Sequence, residues 1–151
     1  MDQSVLVQFK DLGAAASLGL AALGSGLGIG VAGMAAIGAW KKCYARKKTA
    51  PFLLIVFIGA PLSQTIYGYI LMNKIAEAAN HGVYLWSFGI FGGLAIGLSA
   101  FFQGKIGASG ADALAETGEG FTNYLIALGV IETVALFVMV FLLGKVGVLA
   151  F

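Results

Sequence analysis

Apolar residues in this chain gather into four long runs, which can be drawn from Leu12 to Trp40, Pro51 to Asn73, Tyr84 to Ala115 and Gly120 to Gly147. A membrane span needs about 20 mostly apolar residues, so each run is long enough to cross a bilayer as one helix. The pattern predicts an all-α integral membrane protein, with four transmembrane helices in a single membrane domain over residues 1–151. The links between runs are short. They leave no room for a soluble catalytic domain, a nucleotide fold or a receptor ectodomain, so any activity must lie inside the bundle. The first run is too long for the apolar region of a signal peptide, and its flank, with Asp2 and Asp11 against Lys10, lacks the usual positive charge. It is expected to remain in the mature protein.

Composition agrees with this pattern. The chain is 60% hydrophobic and 11% charged, and a soluble fold of that make-up would leave far too much apolar surface in water. The net charge of +2 says less than its distribution. Lys41, Lys42, Arg46, Lys47 and Lys48 crowd the link between the first two runs, and positive residues beside a span stay cytoplasmic. That places the second link, with Lys74, outside together with both termini, and returns the third link, with Asp112, Glu116 and Glu119, to the cytoplasm. The basic cluster also suits anionic lipid or a protein partner, and no nucleic-acid role is needed. Cys43 is the one cysteine, so an intrachain disulfide is impossible and thiolate metal chemistry lacks partners.

The two halves resemble each other. Shifting the first half by 67 places Gly26, Leu27, Ile29 and Gly30 on Gly93, Leu94, Ile96 and Gly97, and a shift of 68 places Gln64 and Thr65 on Glu132 and Thr133. Each half therefore reads as a helical hairpin, over 12–73 and 84–147, with a glycine-rich helix first and a bulkier one second. Glycine on a lipid-facing helix gains nothing, whereas at a crowded contact it lets backbones approach. Gly24 and Gly28 on one row, Ala22, Gly26 and Gly30 on another, and Gly89, Gly93 and Gly97 in the third span are expected to pack. Spans one and three then form a curved inner layer, with spans two and four outside, a shape suited to a closed ring. Gly28, Gly30 and Gly33 also satisfy a dinucleotide-binding pattern, but that fingerprint needs a strand before it and a helix opening at it. Here it lies within a continuous apolar run.

Few polar groups lie well inside the spans. An ionised carboxylate at a helix centre costs about 2.5–3.5 kcal/mol on insertion scales, which marks Glu132 as a functional candidate. Ser63, Gln64 and Tyr67 lie near the middle of the second span, with 63 and 67 on one face, and Gln103 lies in the third. Counting from the expected cytoplasmic ends gives thirteen residues from Pro51 to Gln64, twelve from Gly120 to Glu132 and thirteen back from Glu116 to Gln103, the last end chosen partly by analogy. At about 1.5 Å per residue all three fall ~19 Å from that surface. Pro61 removes a backbone donor one turn from Gln64 and frees carbonyl oxygen there. One carboxylate, two amide oxygens and a hydroxyl are hard donors, suited to a small alkali cation or to a proton held as a hydrogen-bonded acid. Transition metals prefer imidazole and thiolate ligands, and no His or Cys lies near that depth. The alternative is packing alone, with Glu132 a hydrogen-bonded structural residue, the glutamines interhelical glue and Tyr67 a filler.

The segments P-L-S-Q-T-I-Y-G at 61–68, F-Q-G-K at 102–105 and V-I-E-T at 130–133 resemble the proteolipid subunit K of bacterial V-type ATPases, and the likeness spans essentially the whole chain. The resemblance implies a ring of identical subunits in the plasma membrane that carries Na⁺ or H⁺ past a stator subunit bearing an Arg. ATP hydrolysis by a cytoplasmic motor turns the ring through central-stalk subunits, so the chain has no catalytic site or organic cofactor of its own. It further implies Na⁺ coordination by Glu132, Gln103, Gln64, Ser63 and the Ala60 carbonyl, with Tyr67 bonded to Glu132. Ser63 stands where Thr is familiar and keeps the hydroxyl. Leu62 replaces a Gly, which alters local backbone freedom. Two other classes use four spans: a proton-coupled exporter, which needs a substrate cavity, and a structural tetraspan protein, which needs no mid-membrane ligands.

Overall fold

The computed structural model describes residues 9 and 11–150. Asp2 and Lys10, which bear on the charge of the N-terminal flank, lie outside them. Helix α1 runs over Leu12–Ala45, α2 over Leu54–Gly59, α3 over Ser63–Asn80, α4 over Trp86–Thr117 and α5 over Phe121–Ala150. A 3₁₀ turn, Ala60–Leu62, joins α2 to α3 into one span, Leu54–Asn80. The described residues thus form four helices long and apolar enough to cross a membrane.

The helices extend past the apolar runs. Lys41 and Lys42 belong to α1, Lys74 to α3, and Asp112 and Glu116 to α4. This corrects their assignment to links. Once nucleated, a helix adds one hydrogen bond for each residue it fixes, so it continues into charged sequence until a turn residue stops it. For α4 the stop is Gly118, at φ 75°, whose N–H donates to the Leu114 carbonyl at 2.8 Å. Cys43, expected in a link, is buried in the last turn of α1, with its sulfur 3.7 Å from the Ala115 carbonyl oxygen.

The most extensive helix contact is α1 on α4, and small residues make it possible. A Cβ on Gly24 would collide with the backbone of Gly97, one on Gly89 with Gly13, and one on Gly104 with Gly28. Partner numbers rise together along both chains, so α1 and α4 run parallel. Gly26 and Gly30 do not join this contact: both are exposed, and a Cβ on either would meet open space. Two residues along a helix is about 200° around it. A row containing Gly24 and Gly28 therefore turns Gly26 and Gly30 to the far side.

The bulky helices flank this pair, with α3 against α1, and α5 against α4 and α3. Two apolar clusters form the core. One gathers Ala21, Leu71, Ile75, Ile96, Ala135 and Met139, and the other Ala36, Leu54, Phe57, Ala111, Leu114 and Leu128. The buried amides of Gln64 and Gln103 lie in the span segments between them. Outward faces carry exposed Ile, Val, Leu and Phe, such as Ile126, Val130, Phe137 and Phe141 of α5, as lipid-facing helices do.

Candidate functional site

The site begins with the break in the second span. Pro61 has no N–H and its ring obstructs the preceding turn, so the chain tightens into the 3₁₀ turn at Ala60–Leu62 before α3 opens at Ser63. The carbonyl this deprives of a donor is that of Phe57, which lies against Gly107 of α4. The Ala60 carbonyl meets the Ser63 hydroxyl at 3.2 Å. The break therefore presents Ser63 and Gln64, with Tyr67 one turn along, to α4 and α5.

These side chains meet at Glu132. The Ser63 hydroxyl donates to Glu132 Oε1 at 2.6 Å, and the Tyr67 hydroxyl donates to the same oxygen at 2.7 Å. Gln103 Nε2 reaches Glu132 Oε2 at 3.3 Å and donates to the Leu128 carbonyl at 3.0 Å. Gln64 Nε2 donates to Gln103 Oε1 at 2.7 Å. Ser63, Gln64, Tyr67, Gln103 and Glu132, separated by up to 69 positions in sequence, thus form one hydrogen-bonded cluster.

A hydroxyl has one proton, whereas Ser63 Oγ lies within bonding distance of three acceptors: Glu132 Oε1, the Ala60 carbonyl at 3.2 Å and Gln64 Oε1 at 3.2 Å. The shortest contact takes the proton. Ala60 O and Gln64 Oε1 then keep lone pairs beside it, so four oxygens from three residue types and the backbone crowd a small volume. Ligands about 2.4 Å from a central ion and at right angles to one another are ~3.4 Å apart. The 3.2 Å spacings from Ser63 Oγ to the Ala60 carbonyl and Gln64 Oε1 are close to that value, while the 2.6 Å contact with Glu132 Oε1 is a hydrogen bond.

Burial is graded across the cluster. Gln64 and Gln103 are enclosed, at 0% and 1% exposure, while Ser63, Tyr67 and Glu132 are half-buried on the α3–α5 side. The carboxylate therefore sits at the edge of the bundle with the amides behind it.

Two residues not singled out in the sequence help to hold the cluster. Ser99, one turn before Gln103 on α4, donates to the Ile131 carbonyl at 2.7 Å and ties α4 to α5 beside Glu132. The Leu128 carbonyl, one turn before Glu132, fixes the Gln103 amide. The spacing of Ser99 from Gln103 carried the signal for the first, since both lie on one helical face. A backbone acceptor leaves no trace in side-chain identity.

Residues 87–143, which include both Gln103 and Glu132, match the family model for the C subunit of ATP synthase. The chain is also similar to the A-type ATP synthase subunit K of Methanocaldococcus jannaschii, with 33% identity over 141 residues. That alignment takes in 91% of this chain and 61% of the relative, so the chain spans about three fifths of the curated protein it matches. Both similarities take in the span that carries Glu132, and the four membrane-capable helices accord with them. Over residues 87–143 the chain therefore matches the C-subunit family of ATP synthases, and over most of its length it is similar to an A-type subunit K.

Proposed function

We propose that this protein is the ion-carrying rotor subunit of a V/A-type rotary ATPase, binding one Na⁺ at Glu132. Identical copies close into a ring, and the ring carries bound ions past a stator subunit. Glu132 is the observation that carries the reading: a half-buried carboxylate within a span, receiving side-chain bonds from Ser63, Tyr67 and Gln103. A carboxylate surrounded by donors acts as an acceptor only, the role of its ionised form. Its charge calls for a cation, and bare charge within a bilayer is costly.

Glu132, Gln103 Oε1, Gln64 Oε1, Ser63 Oγ and the Ala60 carbonyl supply hard oxygens for Na⁺, and the Tyr67 hydroxyl holds the carboxylate in place. One monovalent ion on one carboxylate makes a neutral site, able to face lipid as the ring turns. At the stator an Arg of that partner displaces the ion, which leaves along an aqueous path. The basic loop of 46–48 and the acidic turn at Glu119 lie at the cytoplasmic end, where central-stalk subunits dock, and both termini lie outside.

A proton on Glu132 is the second reading, because the Ser63 hydroxyl can turn to accept from a protonated carboxyl. An exporter would place its substrate beside the carboxylate. The groove of about 260 Å³ between α1 and α4 is lined by Leu20, Leu23, Leu27, Leu94, Leu98 and Phe101, and it excludes the Glu132 cluster.

Carbodiimide labelling of Glu132 in the purified ring, across pH with and without Na⁺, tests the reading. The reagent needs the protonated carboxyl, so Na⁺ should suppress labelling, more strongly as pH rises and fewer protons compete. Labelling that ignores Na⁺ would assign the site to H⁺. Glu132→Gln should assemble but not transport; transport by that variant sinks the proposal.

A further inference from the structure

Among the described residues one buried side-chain polar atom has no hydrogen-bond partner: the hydroxyl of Ser25 on α1. Ser25 is 2% exposed. A buried hydroxyl left unpaired is costly, and its place in the helix pairing says what it faces. A Cβ on Gly68 would meet Ala21 Cβ, and one on Gly28 would meet Pro61 Cβ. Residue numbers rise on α1 as they fall on α3, so the two helices are antiparallel. One turn up from Ala21 meets one turn down from Gly68 at Ser25 and Gln64. Three residues down from Gly28 and three up from Pro61 meet at the same pair.

Gln64 is itself fully buried. Its side-chain nitrogen carries two hydrogens and donates at 2.7 Å to Gln103 Oε1. That bond takes one of the two lone pairs on the amide oxygen which the sodium reading assigns to the ion, and leaves the other for it. The second hydrogen of Gln64 Nε2 has no acceptor among the hydrogen bonds of the cluster. That N–H needs an acceptor within a sealed, apolar setting.

We infer that Ser25 is a positioning residue of the ion site, its hydroxyl accepting from Gln64 Nε2 when Na⁺ draws Gln103 Oε1 and Gln64 Oε1 into coordination. With Nε2 directed at α1, Oε1 of the same amide points towards Glu132. The reversed amide would offer the cation two hydrogens. Ser25 thereby favours Na⁺ and contributes little to a proton, whose carboxyl on Glu132 is held by Ser63 and Tyr67 without Gln64. This inference rests on the sodium reading above.

The test compares wild type, Ser25→Ala and Ser25→Thr as assembled rings, reading carbodiimide labelling of Glu132 against Na⁺ concentration and, without Na⁺, against pH. Ser25→Ala adds no volume and removes an unpaired hydroxyl, so its ring should be at least as heat-stable as wild type. Its half-protecting Na⁺ concentration should rise about ten-fold, the equivalent of ~1.4 kcal/mol for one hydrogen bond. The pH midpoint without Na⁺ should stay in place, and Ser25→Thr, which keeps the oxygen, should restore most of the affinity. An unchanged Na⁺ midpoint in Ser25→Ala overturns the inference alone. So does a pH midpoint that moves as far as the Na⁺ midpoint, because that is the mark of general disruption. Wild-type labelling indifferent to Na⁺ overturns the sodium reading and this inference with it.

Discussion

At the scale of single residues, the site is a division of labour around one carboxylate. Tyr67 and Ser63 both donate to Glu132 Oε1, but their other bonds differ. Ser63 also neighbours the Ala60 carbonyl and Gln64 Oε1, where the ion is proposed to sit, whereas the Tyr67 hydroxyl donates to Glu132. Tyr67→Phe should therefore weaken Na⁺ protection of Glu132 by roughly ten-fold, since hydrogen bonds to charged groups contribute about 1.5–3 kcal/mol, and leave transport running at high Na⁺. Loss of transport at saturating Na⁺ would show the tyrosine to be a ligand. Residue types were enough to find Glu132, Gln64, Gln103, Ser63 and Tyr67, because polar groups within a span are costly enough to stand out. Ser25 and Ser99 did not stand out: serine in a glycine-rich helix reads as one more small packing residue.

At the scale of elements, two devices build the site. The Pro61 break turns a continuous span into α2, a 3₁₀ turn and α3, and aims Ser63 and Gln64 at Glu132. The glycine seam between α1 and α4 brings Gln103 inward. Backbone–backbone contact of this kind tolerates no Cβ. Gly24→Ala should destabilise the folded protein by about 1–3 kcal/mol through overpacking, read as a lower resistance to denaturing detergent. Gly26→Ala meets open space and should instead stabilise α1 by up to ~1 kcal/mol. Equal effects at the two positions would contradict the seam as drawn. The sequence pointed to both glycines alike, since small-residue spacing marks a row but not whether a partner lies on it.

At the scale of the whole molecule, the chain is a polar layer held between two apolar clusters, with most charge near the helix ends and Glu132 and Lys105 farther inside. Lys42 of α1 and Asp112 of α4 pair at 2.6 Å at the end where Cys43 meets Ala115, across side chains more than half exposed. Exposed pairs contribute ~0–1 kcal/mol, so the pair marks the register of α1 and α4 more than it holds them. The proposed orientation of the bundle rests on its basic end. With Cys43 replaced by Ser, a cysteine introduced at Lys47 or Glu119 should react with an impermeant thiol reagent only from the cytoplasmic side, and one at Gly82 only from the opposite side. The reverse pattern would invert the topology and the reading of 46–48 as cytoplasmic.

The sequence alone determined that four helices span a membrane, because apolar length is a property of each segment by itself. It also picked out the polar residues that meet at Glu132, because the bilayer penalises each one separately. Helix ends were set too early, since hydrogen-bonded propagation carries a helix beyond its apolar stretch. Only the tertiary structure decided which faces of those helices meet. It separated Gly24 and Gly28 from Gly26 and Gly30, turned the Leu128 carbonyl to Gln103, and set the buried hydroxyl of Ser25 at the level of Gln64. A helical period fixes the angles between residues on one helix, but the rotation of that helix against its neighbours depends on all of them packing together.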